Sequence, residues 1–424
     1  MGSLYDSRVK TRLIDPVYNK SNFRSVFELD PNTVFSTKMR LTNVGQYGTA
    51  STYNPLTGSY GTIEAIRLMD GAGTVLDQVH DFSIWMGFKN KNAKMMNVMS
   101  VNDILANTDN GLIAVGIDLT ANNGVELQDE GLNNTLAVAD SGSASGWLDL
   151  RRVFNLLRST SYLPTNVFKN LRIEIDWKTS ANLKNNMVDS TGNDSTKIPV
   201  LIVDEIVDMD AKMELMKKWA SVSFYSIESE RVTLDAVANL DNTEASKELA
   251  QEETFLMNGF QNKFVNRILM VRSPTDSATW RDGTDNIGPA NQSSFTVYKP
   301  KFQVRLNGKD KLAGSGWTQK NQQLGQLVDT WGNVTSGLGE NLTNLTNKAN
   351  YYGNPSNHVG KFDYTGFHVD EYVQDMQMTV GRSGVYAAAN ANDIINQKLN
   401  ILVYGECLKS VIRNNNGYNI VYNQ

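Results

Sequence analysis

Apolar and charged residues alternate without exception along Leu171-Arg172-Ile173-Glu174-Ile175-Asp176-Trp177-Lys178. A period of two gathers Leu, Ile, Ile and Trp on one face, so the segment predicts a strand with one side in a core and the other in water. Phe302-Gln303-Val304-Arg305-Leu306-Asn307 repeats the pattern and ends at Asn307-Gly308, a pair suited to a tight turn. Phe35, Thr37, Met39 and Leu41 alternate with Ser36, Lys38, Arg40 and Thr42, which predicts one continuous strand closed by 43–45. Near the end, Leu399 to Ser410 and Tyr418 to Tyr422 flank Asn414-Asn415-Asn416-Gly417, the mark of a hairpin.

Helical spacing is scarce. Asp210 to Ala220 sets Met213, Met216 and Trp219 or Ala220 on one side, with Lys212, Glu214, Lys217 and Lys218 around them, and predicts a one-sided helix. Leu150 to Leu157 and Gln322 to Trp331 are similar, and each predicts a short helix lying on a sheet edge. The order of elements runs twice through the chain. Phe23 to Leu29 and Val222 to Leu234 open the halves, and Val34 to Val44 and Phe264 to Arg272 supply a long strand in each. Both halves close on an irregular segment running into a strand, at Leu171-Arg172-Ile173 and at Leu399-Asn400-Ile401. The expectation is an all-β chain of two similar domains joined near Asp210 to Trp219: an N-terminal arm over 1–22, a first domain over 23–209, a linker helix over 210–220 and a second domain over 221–424.

Composition removes functions more than it adds them. The 424 residues are 40% hydrophobic and 20% charged with a formal charge of −5, which supports packed cores and gives no strongly basic surface for nucleic acid. A single cysteine, Cys407, excludes an internal disulfide framework, and His80, His358 and His368 lie too far apart to suggest a zinc site. The N-terminus does not read as a signal peptide, and no run of about 18 apolar residues occurs. Secretion is not expected. Phosphate-loop, complete dinucleotide, nucleophile-elbow and zinc-helix motifs are missing. The pairs Asp204-Glu205 and Glu252-Glu253 are sequence neighbours that a strand would point to opposite faces, and His80 has no nucleophile beside it. No catalytic, cofactor-binding or metal-binding residue is therefore predicted. Arg8, Lys10, Arg12, Lys20 and Arg24 leave the first 24 residues locally basic, which fits either a solvated terminus or a contact with something acidic.

Five segments taken in order resemble the double jelly-roll major capsid proteins of icosahedral double-stranded DNA viruses, in their Polinton-like, adintovirus and virophage branch. Gly61 to Gly71 with Val75 to Phe82 looks like a strand, turn and strand of the first jelly roll. Gly146 to Leu150, through Tyr162-Leu163-Pro164 to Leu171 to Ile175, is similar to the family's strand F, helical loop and strand G. Ser223 to Glu228 resembles the opening of the second jelly roll, and Phe302 to Lys309 and Leu399 to Glu406 follow in place. The resemblance implies two tandem eight-stranded jelly rolls, homotrimeric capsomers of pseudo-hexagonal outline, an icosahedral shell around a DNA genome, and no small-molecule substrate or enzyme activity. It implies a place in the virion after synthesis in the host cytoplasm, with penton and minor capsid proteins as partners. Arg8, Lys10 and Arg12 would face a minor capsid protein, an inner membrane or the genome. Trp317, Trp331, Tyr351 and Tyr352 would serve as exposed aromatics of a trimer interface. Two rival readings remain open. A host-attachment or carbohydrate-binding sandwich would use loop aromatics and Asn, and a sandwich glycoside hydrolase would need a cleft with two facing carboxylates.

Overall fold

The computed structural model describes residues 9–20, 24–42, 46–47, 63–82, 85, 148–168, 170–177, 183–184, 199–235, 248–273, 301–312, 326, 329–331, 364–385, 399–414 and 417–422. In the first half, one sheet runs from β1 (Val9–Ile14) to β13 (Val200–Ile206), then to β4 (Val34–Ser36) and β5 (Arg40–Thr42) set end to end, then to β10 (Tyr162–Pro164) and β9 (Leu148–Asp149). The facing sheet orders β2 (Tyr18–Lys20), β3 (Arg24–Glu28), β11 (Arg172–Trp177), β7 (Ile63–Met69) and β8 (Val75–His80). A small pair, β6 (Gln46–Tyr47) with β12 (Leu183–Lys184), stands apart. In the second half, β14 (Ser221–Leu234) pairs with β21 (Leu399–Asn414), which pairs on its other side with β16 (Lys263–Ser273) and β22 (Gly417–Tyr422), and β19 (Tyr364–Val373) follows β16. The facing sheet orders β15 (Glu248–Leu256), β20 (Met376–Val385), β17 (Lys301–Leu306) and β18 (Lys309–Asp310).

A jelly roll whose strands are lettered B to I along the chain forms the sheets B-I-D-G and C-H-E-F. The second half fits as β14-β21-β16-β19 and β15-β20-β17-β18. The first half fits as β1-β13-β4/β5-β10 and β3-β11-β7-β8. Each half is a jelly-roll sandwich, so the all-β expectation of two tandem jelly rolls holds.

Several boundaries move. The first sandwich begins at Val9 rather than residue 23, because Val9 to Ile14 pair residue by residue with Ile206 to Leu201 and form strand B. The described part of the expected arm thus belongs to a sheet. The strand expected over Phe35 to Thr42 keeps its alternation, with Phe35, Thr37, Met39 and Leu41 all buried, yet its ladder breaks between β4 and β5. There the Thr37 N–H and Oγ1 turn to the carbonyls of Ser161 and Thr160. The segment likened to strand G, β11, occupies the H position, and β10 takes G. Both turn expectations hold: Asn307 and Gly308 take φ of +48° and +79° between β17 and β18, and β21 and β22 form the final hairpin.

The alternation of β11 buries Ile173, Ile175 and Trp177, and the Trp177 indole N–H donates to Ser25 Oγ at 2.8 Å. Each such fully buried side chain contributes about 1.5–3 kcal/mol. Helix α1 (Asn155–Ser159) follows a 3-10 turn at Leu150–Arg152. Helix α2 (Met209–Lys218) joins the sandwiches and is capped by Asp208, whose carboxylate accepts from the Ala211 N–H at 2.8 Å. The expected one-sided burial of α2 is not found. None of its residues is buried and Met213 is 49% exposed; the apolar anchor is Trp219, just past the helix, edge-on to Phe168 at 5.4 Å.

Candidate functional site

Within this chain the two sandwiches meet along a seam, and several of the buried charged groups among the described residues lie in it. Strand β8 ends the C-H-E-F sheet of the first sandwich, and it lies with α1 against the outer face of β14 and β21. Phe224, Ile227, Leu269, Leu402, Tyr404 and Val411 of the second sandwich join the hydrophobic cluster of the first, so one apolar core crosses the seam. The second sandwich keeps its own cluster on the opposite face of the same strands, including Ile268, Met270, Ile401 and Val403. Trp85 packs on Tyr404 at 5.3 Å and edge-on to Trp331 at 5.8 Å.

Hydrogen bonds fix the register of this contact. The Tyr404 hydroxyl donates to the Asp81 carbonyl at 3.1 Å, Arg231 pairs with the Asp81 carboxylate at 3.1 Å, and Asn155 Nδ2 donates to the Tyr225 carbonyl at 2.6 Å. Tyr418 donates to Asp70 Oδ2 at 2.7 Å, which pushes the phenol up after burial has already done so. Arg413 reaches the carbonyls of Met216 and Trp219, tying the final hairpin to the linker.

Charged groups lie deep in the seam. Asp77 on β8 is 1% exposed and Lys409 on β21 is 3% exposed. The Asp77 carboxylate accepts from the N–H groups of Leu156 and Gln78, both at 3.0 Å, and Lys409 Nζ donates to the Val75 carbonyl at 3.1 Å. Burial pushes Asp77 up to about 7 despite those N–H groups and the nearby ammonium, and burial pulls Lys409 down. Glu228 on β14 pairs with Lys263 at 3.3 Å and accepts from the Tyr422 hydroxyl at 3.2 Å. The Tyr422 ring lies 4.7 Å from Lys263 Nζ and 5.3 Å from Lys409 Nζ, positions favourable to a cation over an aromatic face. Two acids and two bases are thus set against each other where water is excluded, which strengthens their mutual dependence.

A cleft of about 380 Å³ opens at the seam between Glu64, Arg67, His80, Asp81 and Asp176 on one side and Glu230 and Arg231 on the other. Its carboxylates are engaged. Asp176 is held by Arg24 at 2.7 Å and Arg67 at 2.5 Å, Asp81 by Arg231, and Glu230 by the Gly259 N–H at 3.0 Å. His80 stands at the end of β8 with a ring nitrogen 3.2 Å from Gln78 Oε1, and burial with the neighbouring Arg67 lowers it. Such ion-paired acids are poorly placed for the acid and base roles of a glycosidase.

Of the residues singled out for assembly, Arg8, Trp317, Tyr351 and Tyr352 lie outside the described residues. Lys10 is exposed on β1. Arg12 is not a free cation: it pairs with Asp30 at 2.5 Å and Glu205 at 2.8 Å, which raises it and fastens β1 to the sandwich. Burial alone would raise Glu205, but hydrogen bonds from Thr33 and Arg12 hold its carboxyl below the usual range. Trp331 departs from the exposed role expected of it. Its indole donates to the Ile268 carbonyl at 3.1 Å and its ring lies 3.9 Å from the Arg267 guanidinium, which itself forks onto Glu406 at 2.6 and 3.1 Å. Gly366 makes room for that ring, since a Cβ there would come within 2.7 Å of the indole nitrogen. Sequence reasoning missed Asp77, Lys409 and Tyr404. For Tyr404 alone a signal was available, the unbroken apolar run Ile401-Leu402-Val403-Tyr404, which marks a strand buried on both faces.

No protein-family model matches the chain, and no curated protein matches it in sequence. Two jelly rolls in tandem, packed flank to face, define the class as a double jelly roll. Among solved structures, a chain of the Sputnik virophage structure determined by cryo-EM aligns with a TM-score of 0.52 at 9% identity, covering 98% of this chain and 88% of that one. The fold is the one found in that virophage. Similarity extends to the PBCV-1 VP54 structure fitted into a Sputnik reconstruction, with TM-score 0.49, 10% identity, and 98% and 97% of the two chains covered. The mavirus major capsid protein aligns with TM-score 0.47 at 9% identity, over 98% of this chain and 90% of that one.

Proposed function

We infer that this chain is a viral major capsid protein, whose work is to pack against copies of itself. Three copies form a pseudo-hexagonal capsomer, and capsomers tile the faces of an icosahedral shell around a DNA genome. The observation that carries this reading is the double jelly-roll fold, shared over 98% of the chain with the Sputnik virophage chain. The seam supports it. Two sandwiches locked side by side by one continuous core make a rigid building block, which a shell needs and a flexible two-domain binder does not. Penton and minor capsid proteins are the further partners, with the N-terminal segment around Arg8 and Lys10 facing them, an inner membrane or the genome. Light scattering on the purified protein with negative-stain imaging tests this. The expected particle has three times the 47.1 kDa of one chain and a hexagonal outline, with or without added glycans. A monomer under all conditions overturns it.

A further inference from the structure

Asp77 ties together the elements that meet at the seam, from a position that water does not reach. Its first tie is to α1, whose own cap residue, Phe154, makes no side-chain bond to the helix. The Asp77 carboxylate takes that place from β8, accepting the N–H of Leu156 in the first turn at 3.0 Å. Helix α1 in turn crosses to the second sandwich through Asn155, bonded to the Tyr225 carbonyl on β14. The second sandwich sends back Lys409 of β21, whose ammonium donates to the Val75 carbonyl two residues before Asp77. One carboxyl thus caps the helix that docks and lies near the ammonium that docks beside it.

These surroundings favour the carboxyl without its charge. The hydrogen bonds it accepts come from the N–H groups of Leu156 and Gln78, not from a cation. The groups that act on it across the seam are Lys409 from β21, Glu228 from β14 and Tyr422 from β22, which is bonded to Glu228. Helix α1 carries one charged residue, Arg158, which is exposed, and the residue opposite on β7 is Leu68. An ionised Asp77 therefore leans on Lys409, which burial itself draws toward its neutral form, and meets the like charge of Glu228. Burying a charge so poorly matched costs far more than burying a neutral carboxyl.

We propose that the seam between the two sandwiches is a pH-sensitive latch. It is closed while Asp77 carries its proton, and it opens locally, α1 and β8 parting from β14 and β21, when Asp77 gives the proton up. In the closed seam burial raises Asp77 to about 7, whereas in an opened seam the carboxyl meets water and returns to the ordinary range near 4. Opening therefore releases a proton, becomes easier as pH rises through that window, and levels off above about 7. His80 has the opposite sign. Three residues further along β8 it faces away from Asp77, and burial lowers it, so its titration favours opening as pH falls.

Hydrogen exchange on the full chain at pH 5, 6, 7 and 8, corrected for the intrinsic pH dependence of the exchange chemistry, tests the latch. Protection at Leu156, Leu157 and Tyr225 is expected to fall on the order of tenfold between pH 5 and pH 7 and to level off by pH 8. At every pH it is expected to stay below that of Val304 on β17 and Met378 on β20, buried in the other sheet of the second sandwich. Asp77→Asn, which has no proton to release, is expected to abolish the fall. Lys409→Gln removes the ammonium that lowers Asp77, so its fall is expected to continue past pH 7, and it tests the latch even where Asp77→Asn fails to fold. A flat wild-type profile, an unchanged fall in Asp77→Asn, or levelling at the same pH in Lys409→Gln overturns the latch. Seam amides no less protected than Val304 and Met378 overturn it too, since the seam then opens only when the whole chain unfolds. Each of these results leaves the capsid reading standing.

Discussion

The two sandwiches share one strand order and use it in opposite ways. In the second, strands B and I run for 14 and 16 residues, and the I strand carries apolar side chains on both faces through Ile401-Leu402-Val403-Tyr404, all buried. In the first, the same strands run for 6 and 7 residues, and β13 buries Leu201, Val203 and Ile206 while Ile202, Asp204 and Glu205 are only partly covered. One sandwich is a face to be covered; the other supplies the cover from its F edge. Topology sets which surfaces exist, and the apolar content of a single strand decides which of them is closed within the chain.

Paired truncations break this comparison most directly. Tyr404→Ala removes a fully buried ring from the covered face together with its contact to Trp85 and its bond to Asp81, and is expected to cost about 3–5 kcal/mol. Leu13→Ala on the open face of the first sandwich is expected to stay within about 0.5 kcal/mol. Urea unfolding at one fixed protein concentration measures both. Similar costs at the two positions would erase the distinction between covered and open faces.

Strand periodicity was legible in the sequence wherever burial was one-sided. β11 and β17 follow their alternation residue by residue, and the turns at Asn307-Gly308 and before Gly417 lie where dipeptide chemistry put them. The equivalence of Val34–Val44 with Phe264–Arg272 holds, as both supply strand D. The other equivalences slipped. Phe23 to Leu29 contains strand C while Val222 to Leu234 is strand B, because β1 is amphipathic and short and reads as a basic tail. Period-two reasoning could not see the seam for a physical reason. Asp77 and Lys409 look like solvated charges in a strand until another domain lies over them, and that covering is a long-range fact with no local signal. The same limit misjudged the burial of α2, whose Met209 and Met213 are exposed while its apolar anchor sits beyond its end.

The buried charges of the seam sharpen the comparison next. Burial raises Asp77 from the ordinary carboxyl range near 4 to about 7, so the folded protein retains a proton that the unfolded chain releases between those values. The stability this carboxyl supplies is fully present below about pH 4, falls as pH rises through that window, and is lost above about 7. Asp77→Asn carries the neutral form permanently. Its unfolding midpoints at pH 5, 6, 7 and 8 are expected to lack this part of the slope, with a gain over wild type at pH 8 on the order of a few kcal/mol. Parallel pH profiles for the two proteins would show that Asp77 does not titrate in the seam. Lys409 and Glu228 are the charged groups that act on Asp77, with Tyr422 beside Glu228.

The smallest effect is expected where the first sandwich holds its own first strand. Arg12 is 35% exposed at the side chain, so its pairs with Asp30 and Glu205 are weakened by solvent and Arg12→Ala is expected to cost about 1 kcal/mol. The cost has a pH signature opposite to that of Asp77. Glu205 is held below its ordinary value, so its contribution is present above about pH 4.5 and is lost as pH falls through the folded value. Arg12→Ala removes part of that contribution, and acid unfolding of the variant is expected to begin at higher pH than that of wild type. Hydrogen exchange should place the loosening in β1, since Thr33 and Lys212 still hold Glu205 from the other side. Exchange that speeds up equally in β14 would mean that the two sandwiches open as one unit, and that the short first strand is as firmly built into the fold as its longer counterpart.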